Sequence, residues 1–243
     1  RTSNPVLSNK AFERVGYAPE GAEMTLTGTV NKTGLLLVLA IVPAAWVWGQ
    51  AFSWGGVSPA LIFGSMIGAL IVAFVTIFKQ EWSPYTAPAY AVLEGVVLGG
   101  ISAMLEARYP GIVLQAVVLT FAVLACMLVA YRTGMIRATD RFRRGVVAAT
   151  GAVFLTYMLS FVLSFFGMSV PFINGGGFFG IVISLVIVVI AALNLVLDFD
   201  FIERGVDAGA PKYMEWYAAF GLMVTLVWLY MEILRLLSKV NRR

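Results

Sequence analysis

The sequence predicts an all-α, polytopic membrane protein built as a seven-transmembrane helix bundle. Three observations carry this expectation. Hydrophobic residues make up 60% of the chain and charged residues 12%, where a soluble protein carries roughly 45–50% and about 25%. Seven apolar runs approach or exceed the roughly 20 residues needed to cross the hydrocarbon core. The segments between them are short and rich in Gly, Pro and charge. So little polar surface cannot cover a water-facing globule, and lipid must cover it instead.

The runs are, in order, Thr33 to Phe52, Val57 to Phe78, Tyr85 to Leu105, Ile112 to Tyr131, Val146 to Phe166, Gly177 to Phe201 and Tyr213 to Leu237. The connections are Ser53–Gly56, Lys79–Pro84, Glu106–Gly111, Arg132–Gly145, Gly167–Gly176 and Ile202–Lys212. Pro88 falls in the first turn of the third run, where proline costs little. Gly205 is a plausible C-terminal stop for the sixth helix. Gly64 and Gly68 in the second run, and Gly95 and Gly99 in the third, have the small-xxx-small spacing of close helix approach. Residues 1–32 then form a cytoplasmic N-terminal segment without an apolar signal-peptide core. Residues 33–238 form the helical domain, and 239–243 a short basic tail.

Lys and Arg counts set the orientation. With the N-terminus inside, the inner segments hold 12 of the 17 basic residues, and the outer side holds Arg108, Arg235, Lys239, Arg242 and Arg243. The positive-inside rule favours this arrangement. Four of the outer charges cluster at the C-terminus, so a broken or re-entrant last segment that returns the tail inside stays open as an alternative. Five basic residues between Arg132 and Arg144 read as a cytoplasmic loop rather than a nucleic-acid surface, which would sit on a soluble domain.

Composition also excludes chemistry. Cys126, the single cysteine, lies in an apolar run, so there is no disulfide framework. The chain has no histidine, which removes His-based catalysis and the commonest transition-metal ligand. No nucleophile–base pair stands out, and a non-enzymatic role is expected, without cofactor other than a calcium ion.

The acidic residues inside the runs are the candidate site, because a carboxylate in hydrocarbon costs roughly 2.5–3.5 kcal/mol on insertion scales. Glu94 sits midway along the third run. It reads either as an ion or proton site or as a polar clamp hydrogen-bonded to a neighbouring helix. Asp198 and Asp200 close the sixth run. Asp198 lies six residues before Arg204, about 9 Å deep at 1.5 Å per residue, with Asn194 one turn away on the same face. Asp200 points about 200° away and reaches interfacial water. Both also fit an interfacial helix end. Glu215 starts the seventh run beside Trp216 and Tyr217, on the side where the sixth helix leaves, which makes it a candidate neighbour of Asp198. Glu232 and Arg235, three residues apart, fit a structural ion pair. Two carboxylates meeting in a low-dielectric site would share a proton, and losing it would part the helices. Oxygen-rich clusters of this kind also suit calcium.

At these residues the chain resembles the Bax inhibitor (TMBIM, YccA-like) superfamily, and within it a bacterial branch. The resembling stretches are SNPVL at Ser3–Leu7, MTLTGTVNKTG at Met24–Gly34, LEGVVLGGIS at Leu93–Ser102, LDFDFI at Leu197–Ile202 and WLYMEILRLL at Trp228–Leu237. The resemblance implies seven helices in the bacterial inner membrane and a pH-sensitive calcium leak. It also implies a proton-sensing pair of aspartates on the last two helices. Asp198, with Ile202 four residues later, matches the first of that pair. The second lies ten residues before an arginine, and counting back from Arg235 gives Thr225. Half of the expected sensor is therefore missing, and Glu94, Glu215 or Asp200 are the candidates to replace it. The basic residue that accompanies the pair in some members has no match in the second run, whose one charge is Lys79.

Two functions from different classes follow. The first is a passive cation path, for calcium, gated by protonation near Asp198. The second is a regulatory membrane protein acting on the FtsH membrane protease, as some bacterial relatives do, with residues 1–32 as the segment a partner would grasp.

Overall fold

A computed structural model describes residues 23–53, 56–167 and 177–242. Among these it holds seven long α-helices, each long and apolar enough to cross a membrane. They are α1 (Leu26–Ser53), α2 (Pro59–Phe78), α3 (Ser83–Arg108), α4 (Ile112–Arg132), α5 (Asp140–Phe165), α6 (Phe178–Asp207) and α7 (Met214–Val240), with a 3-10 turn at Gln80–Trp82 before α3. The residues they expose are large and apolar, for example Phe74, Leu155, Phe161 and Val186. That pattern suits lipid, not water. The chain is a multi-pass, all-helical membrane protein.

The helices outrun the apolar runs at several ends, and each extension has a local cause. α1 begins at Leu26 rather than Thr33. The Thr25 hydroxyl accepts from Gly28 N–H at 3.0 Å, the side-chain cap a helix start requires. Lys32 can lie inside the helix because its ammonium pairs with Glu215. α3 begins at Ser83, so Pro84 takes the first turn and Pro88 falls beyond it, inside the helix. α5 begins at Asp140 because Thr139 caps it, accepting from Phe142 N–H. α6 runs through Gly205. It stops at Gly209, whose φ is 61°. Ala210 N–H bonds Gly205 O and Gly209 N–H bonds Val206 O, both at 3.0 Å, the paired closure of a Schellman stop that favours glycine in the left-handed position. α7 is continuous from Met214 to Val240, which removes the broken last segment. Lys239 belongs to this helix and not to a tail.

By contacts the described chain divides into two units. One contains 111–167, 177–200 and 225–242, the other 23–53, 56–110 and 201–224, so α6 and α7 each contribute to both.

In the unit with α1 to α3, glycine sets how closely helices approach. A methyl on Gly95 would strike the Ala40 carbonyl oxygen and come within 2.7 Å of Pro43 Cγ. One on Gly99 would lie 2.6 Å from Ala44 O. The third-run glycines thus seat α3 directly on the backbone of α1. The second-run pair does not act alike. Gly64 has nothing within 4 Å of such a methyl, and Gly68 meets only Leu93, at 3.3 Å.

The same unit pins the start of α1 to the start of α7. Met24 N–H donates to Ala210 O at 2.6 Å, and Met24 is buried. The Glu215 carboxylate, 0% exposed, accepts from Thr25 N–H at 2.9 Å and from the Thr25 hydroxyl at 2.8 Å. It also pairs with Lys32, and with Lys212 at 2.8 Å. A buried carboxylate is tolerated when it is this fully bonded. Gly28 leaves it room, since a methyl there would overlap the carboxylate.

Two outcomes are expected in thermal or denaturant unfolding of the detergent-purified protein. Gly95→Ala and Gly99→Ala lose about 1–3 kcal/mol through overpacking, while Gly64→Ala is neutral; equal behaviour of the three would contradict the packing described. Lys32→Met loses about 2 kcal/mol, the loss of a hydrogen bond to a charged group. Lys212→Met, on a half-exposed side chain, loses under about 1 kcal/mol.

Candidate functional site

The seven candidate residues fall into five separate environments. Glu215 lies in the unit with α1 to α3, bound by Thr25, Lys32 and Lys212 as described, and not by another acid. Glu94, on α3 in that unit, is half-buried. Its hydrogen-bonding neighbour is Tyr90, one turn earlier on the same helix, rather than a residue of another helix. Tyr90 is in turn held by an edge-on contact with Phe220, ring centroids 5.0 Å apart.

Asp200 belongs to the other unit. It does not reach interfacial water. The Arg143 guanidinium of α5 pairs with it at 2.8 Å, and the two side chains are only 17% and 14% exposed. One of the basic residues expected in the loop between Arg132 and Gly145 thus lies in the first turn of α5 and forms a helix-to-helix ion pair, invisible to a count of loop charges.

Asp198 is different in kind. It is 2% exposed and lies within a membrane-length helix. Among the described residues it has no ion pair, and its Oδ2 has no hydrogen-bond partner. A side-chain hydrogen bond joins it to Thr225 of α7. The position where the resemblance leads one to expect a second acid thus does face Asp198, but it presents a hydroxyl. A hydroxyl both donates and accepts, so Thr225 can partner a carboxylate or a protonated carboxyl. One turn before Asp198, the Asn194 amide donates to Thr150 Oγ1 of α5 and to Ile190 O, both at 2.8 Å.

Farther along α7, Glu232 is 1% exposed. Arg235 bonds it at 3.0 Å, and the Tyr157 hydroxyl of α5 lies 2.9 Å from both carboxylate oxygens. Arg235 also donates to the Tyr157 oxygen, and its guanidinium carbon stands 4.7 Å from the centre of that ring. The pair expected from spacing is a three-residue knot that joins α5 to α7.

Sequence reasoning did not find Tyr157, Ser184 or Lys239. Lys239, 4% exposed, donates to Ser184 Oγ at 2.8 Å and to Gly180 O at 3.1 Å, both on α6. The signal was periodicity. Thr225, Glu232, Arg235 and Lys239 occupy an arc of about 80° on a helix of 3.6 residues per turn. Ser184, Ala191, Asn194 and Asp198 on α6 share the same spacing. Ser184 and Asp198 are fourteen residues apart, as are Thr225 and Lys239. The two interhelix bonds therefore sit in one antiparallel register, about 21 Å apart along the helices at 1.5 Å per residue. Between them lies the Glu232 knot. Among the described residues no group of three or more acidic or cysteine side chains could hold a metal ion.

The model of the family described as Bax inhibitor 1 like matches residues 4–242. Within that match lie both facing helices, with Asp198 and Thr225, and every helix of the fold. No curated protein and no solved structure matches the chain. A match of this extent, on a chain of seven membrane-length helices, makes the chain a member of the Bax inhibitor 1 like family.

Proposed function

We propose that the protein is a pH-sensitive leak path for cations, calcium foremost, in the bacterial inner membrane, with Asp198 as its proton-sensing group. The observation that carries this reading is the Asp198 Oδ2 atom, buried in a membrane-length helix without a partner among the described residues. A bare charge at such depth costs several kcal/mol. A proton or a cation neutralises it, and exchange between the two couples proton concentration to cation occupancy. Calcium is served by oxygen ligands, and Asp198, Thr225, Asn194 and Thr150 supply carboxylate, hydroxyl and amide oxygens on neighbouring turns.

The sensor in this reading has one acid and a hydroxyl instead of two acids. Glu94, Glu215 and Asp200 do not complete it. Glu215 and Asp200 are each neutralised by basic residues, and Glu94 bonds along its own helix. They act as structural or local polar groups. The N-terminus faces the cytoplasm, on the basic-residue count. The Asp198 end of α6, near Arg204, then lies toward the cytoplasm and the Lys239 end of α7 lies outside.

Calcium flux into liposomes holding the purified protein, followed across a pH series, tests the reading. The wild type is expected to show flux that changes with pH. Asp198→Asn is expected to lose that dependence. Thr225→Val is expected to alter it only while Asp198 is present, the non-additivity of two groups in contact. Equal pH profiles for wild type and Asp198→Asn would remove Asp198 from the mechanism. No flux at any pH would favour the regulatory reading toward FtsH through residues 1–32.

A further inference from the structure

Lys239 is a buried ammonium without a buried acid of its own. It is 4% exposed, and among the described residues it forms no ion pair with a carboxylate. The acid closest in the helical register, Glu232, two turns earlier, is engaged by Arg235 and Tyr157. What holds the ammonium is a pair of neutral oxygens, the Gly180 carbonyl at 3.1 Å and the Ser184 hydroxyl at 2.8 Å. Desolvating an ammonium is costly unless it is paired and bonded, so this is an expensive way to join two helices. Two apolar residues would do it better.

Carbonyl and hydroxyl oxygens converging on a positive charge are also the ligand chemistry of a small hard metal cation. The charge sits at the opposite end of the α6–α7 polar seam from Asp198, in the same register. The stem that carries it is flexible and stands next to the helix end, where Val240, Asn241 and Arg242 are all exposed. An ammonium that leaves Gly180 and Ser184 thus has water within reach.

We propose that the Gly180 carbonyl and Ser184 hydroxyl form a second cation site, and that the Lys239 ammonium is a tethered cation that fills it and closes that end of the path. The ligand it displaces is a small hard cation, calcium or sodium. The inference rests on the cation-path reading and adds a gate to it that does not depend on Asp198. Arg235, one turn from Lys239, stays bound to Glu232 in both states and is not part of the plug.

The test uses the full chain in liposomes, with calcium and then sodium as the conducted ion. Lys239→Met keeps the buried stem and removes the charge. It is expected to raise flux severalfold at every pH while keeping the pH dependence that Asp198 confers. Ser184→Ala, which weakens the hold on the ammonium and removes one ligand oxygen, is expected to change flux by less. Wild-type flux that is lost in its pH dependence by Asp198→Asn but unchanged by Lys239→Met would overturn the plug and leave the path standing. Flux absent from both wild type and Lys239→Met would overturn both. Flux absent from the wild type and present in Lys239→Met would support the plug. A second readout needs no variant. Modification of the Lys239 amine by a water-soluble amine reagent, located by peptide mass spectrometry, is expected to quicken as calcium or sodium displaces the ammonium. A rate indifferent to both ions would mean that Lys239 only fastens α7 to α6.

Discussion

Polar side chains inside a membrane protein have no water to fall back on, and the facing stretches of α6 and α7 are arranged around that constraint. Three of the buried polar groups there are answered by a partner on the facing helix, on α5 or one turn away on their own helix. Thr225 answers Asp198, Ser184 answers Lys239, and Tyr157 with Arg235 answers Glu232. A shift of one helix against the other by a single turn, about 5.4 Å, would strand a carboxylate and an ammonium together. The register is therefore specified by polar pairing.

The charged groups divide by how completely they are answered. Glu215 has two lysines and a threonine around its carboxylate, and Asp200 has an arginine. Such groups fasten helices and have little freedom to change charge without loss of structure. Asp198 has one hydroxyl for two oxygens. That imbalance, not burial alone, is what separates it from the other acids, all of which attracted attention for the same reason in the sequence.

The fold was legible because lipid imposes a length on every helix, and composition alone reveals that length. Helix ends were less so. The start of α1 at Leu26 depends on a carboxylate nearly two hundred residues away that neutralises Lys32, and the end of α6 depends on a left-handed glycine four residues past the one first suspected. The candidate site was legible in half. Asp198 and Thr225 could be named from the family resemblance, but Arg143 as the partner of Asp200 could not, because the segment read as a loop already belongs to α5 from Asp140 onward. Lys239 was misread as tail. A cation near a chain end looks solvated until the facing helix is known to offer it a carbonyl and a hydroxyl.

The most direct test of the central claim is to watch the Asp198 carboxyl itself. Infrared difference spectroscopy of the protein in lipid, with Asp198→Asn as the subtraction, isolates the protonated-carboxyl stretch of this one residue. The account predicts a band that disappears on deprotonation, with a midpoint that coincides with the pH at which cation flux changes. A band that stays constant while flux changes, or changes while flux does not, would contradict it.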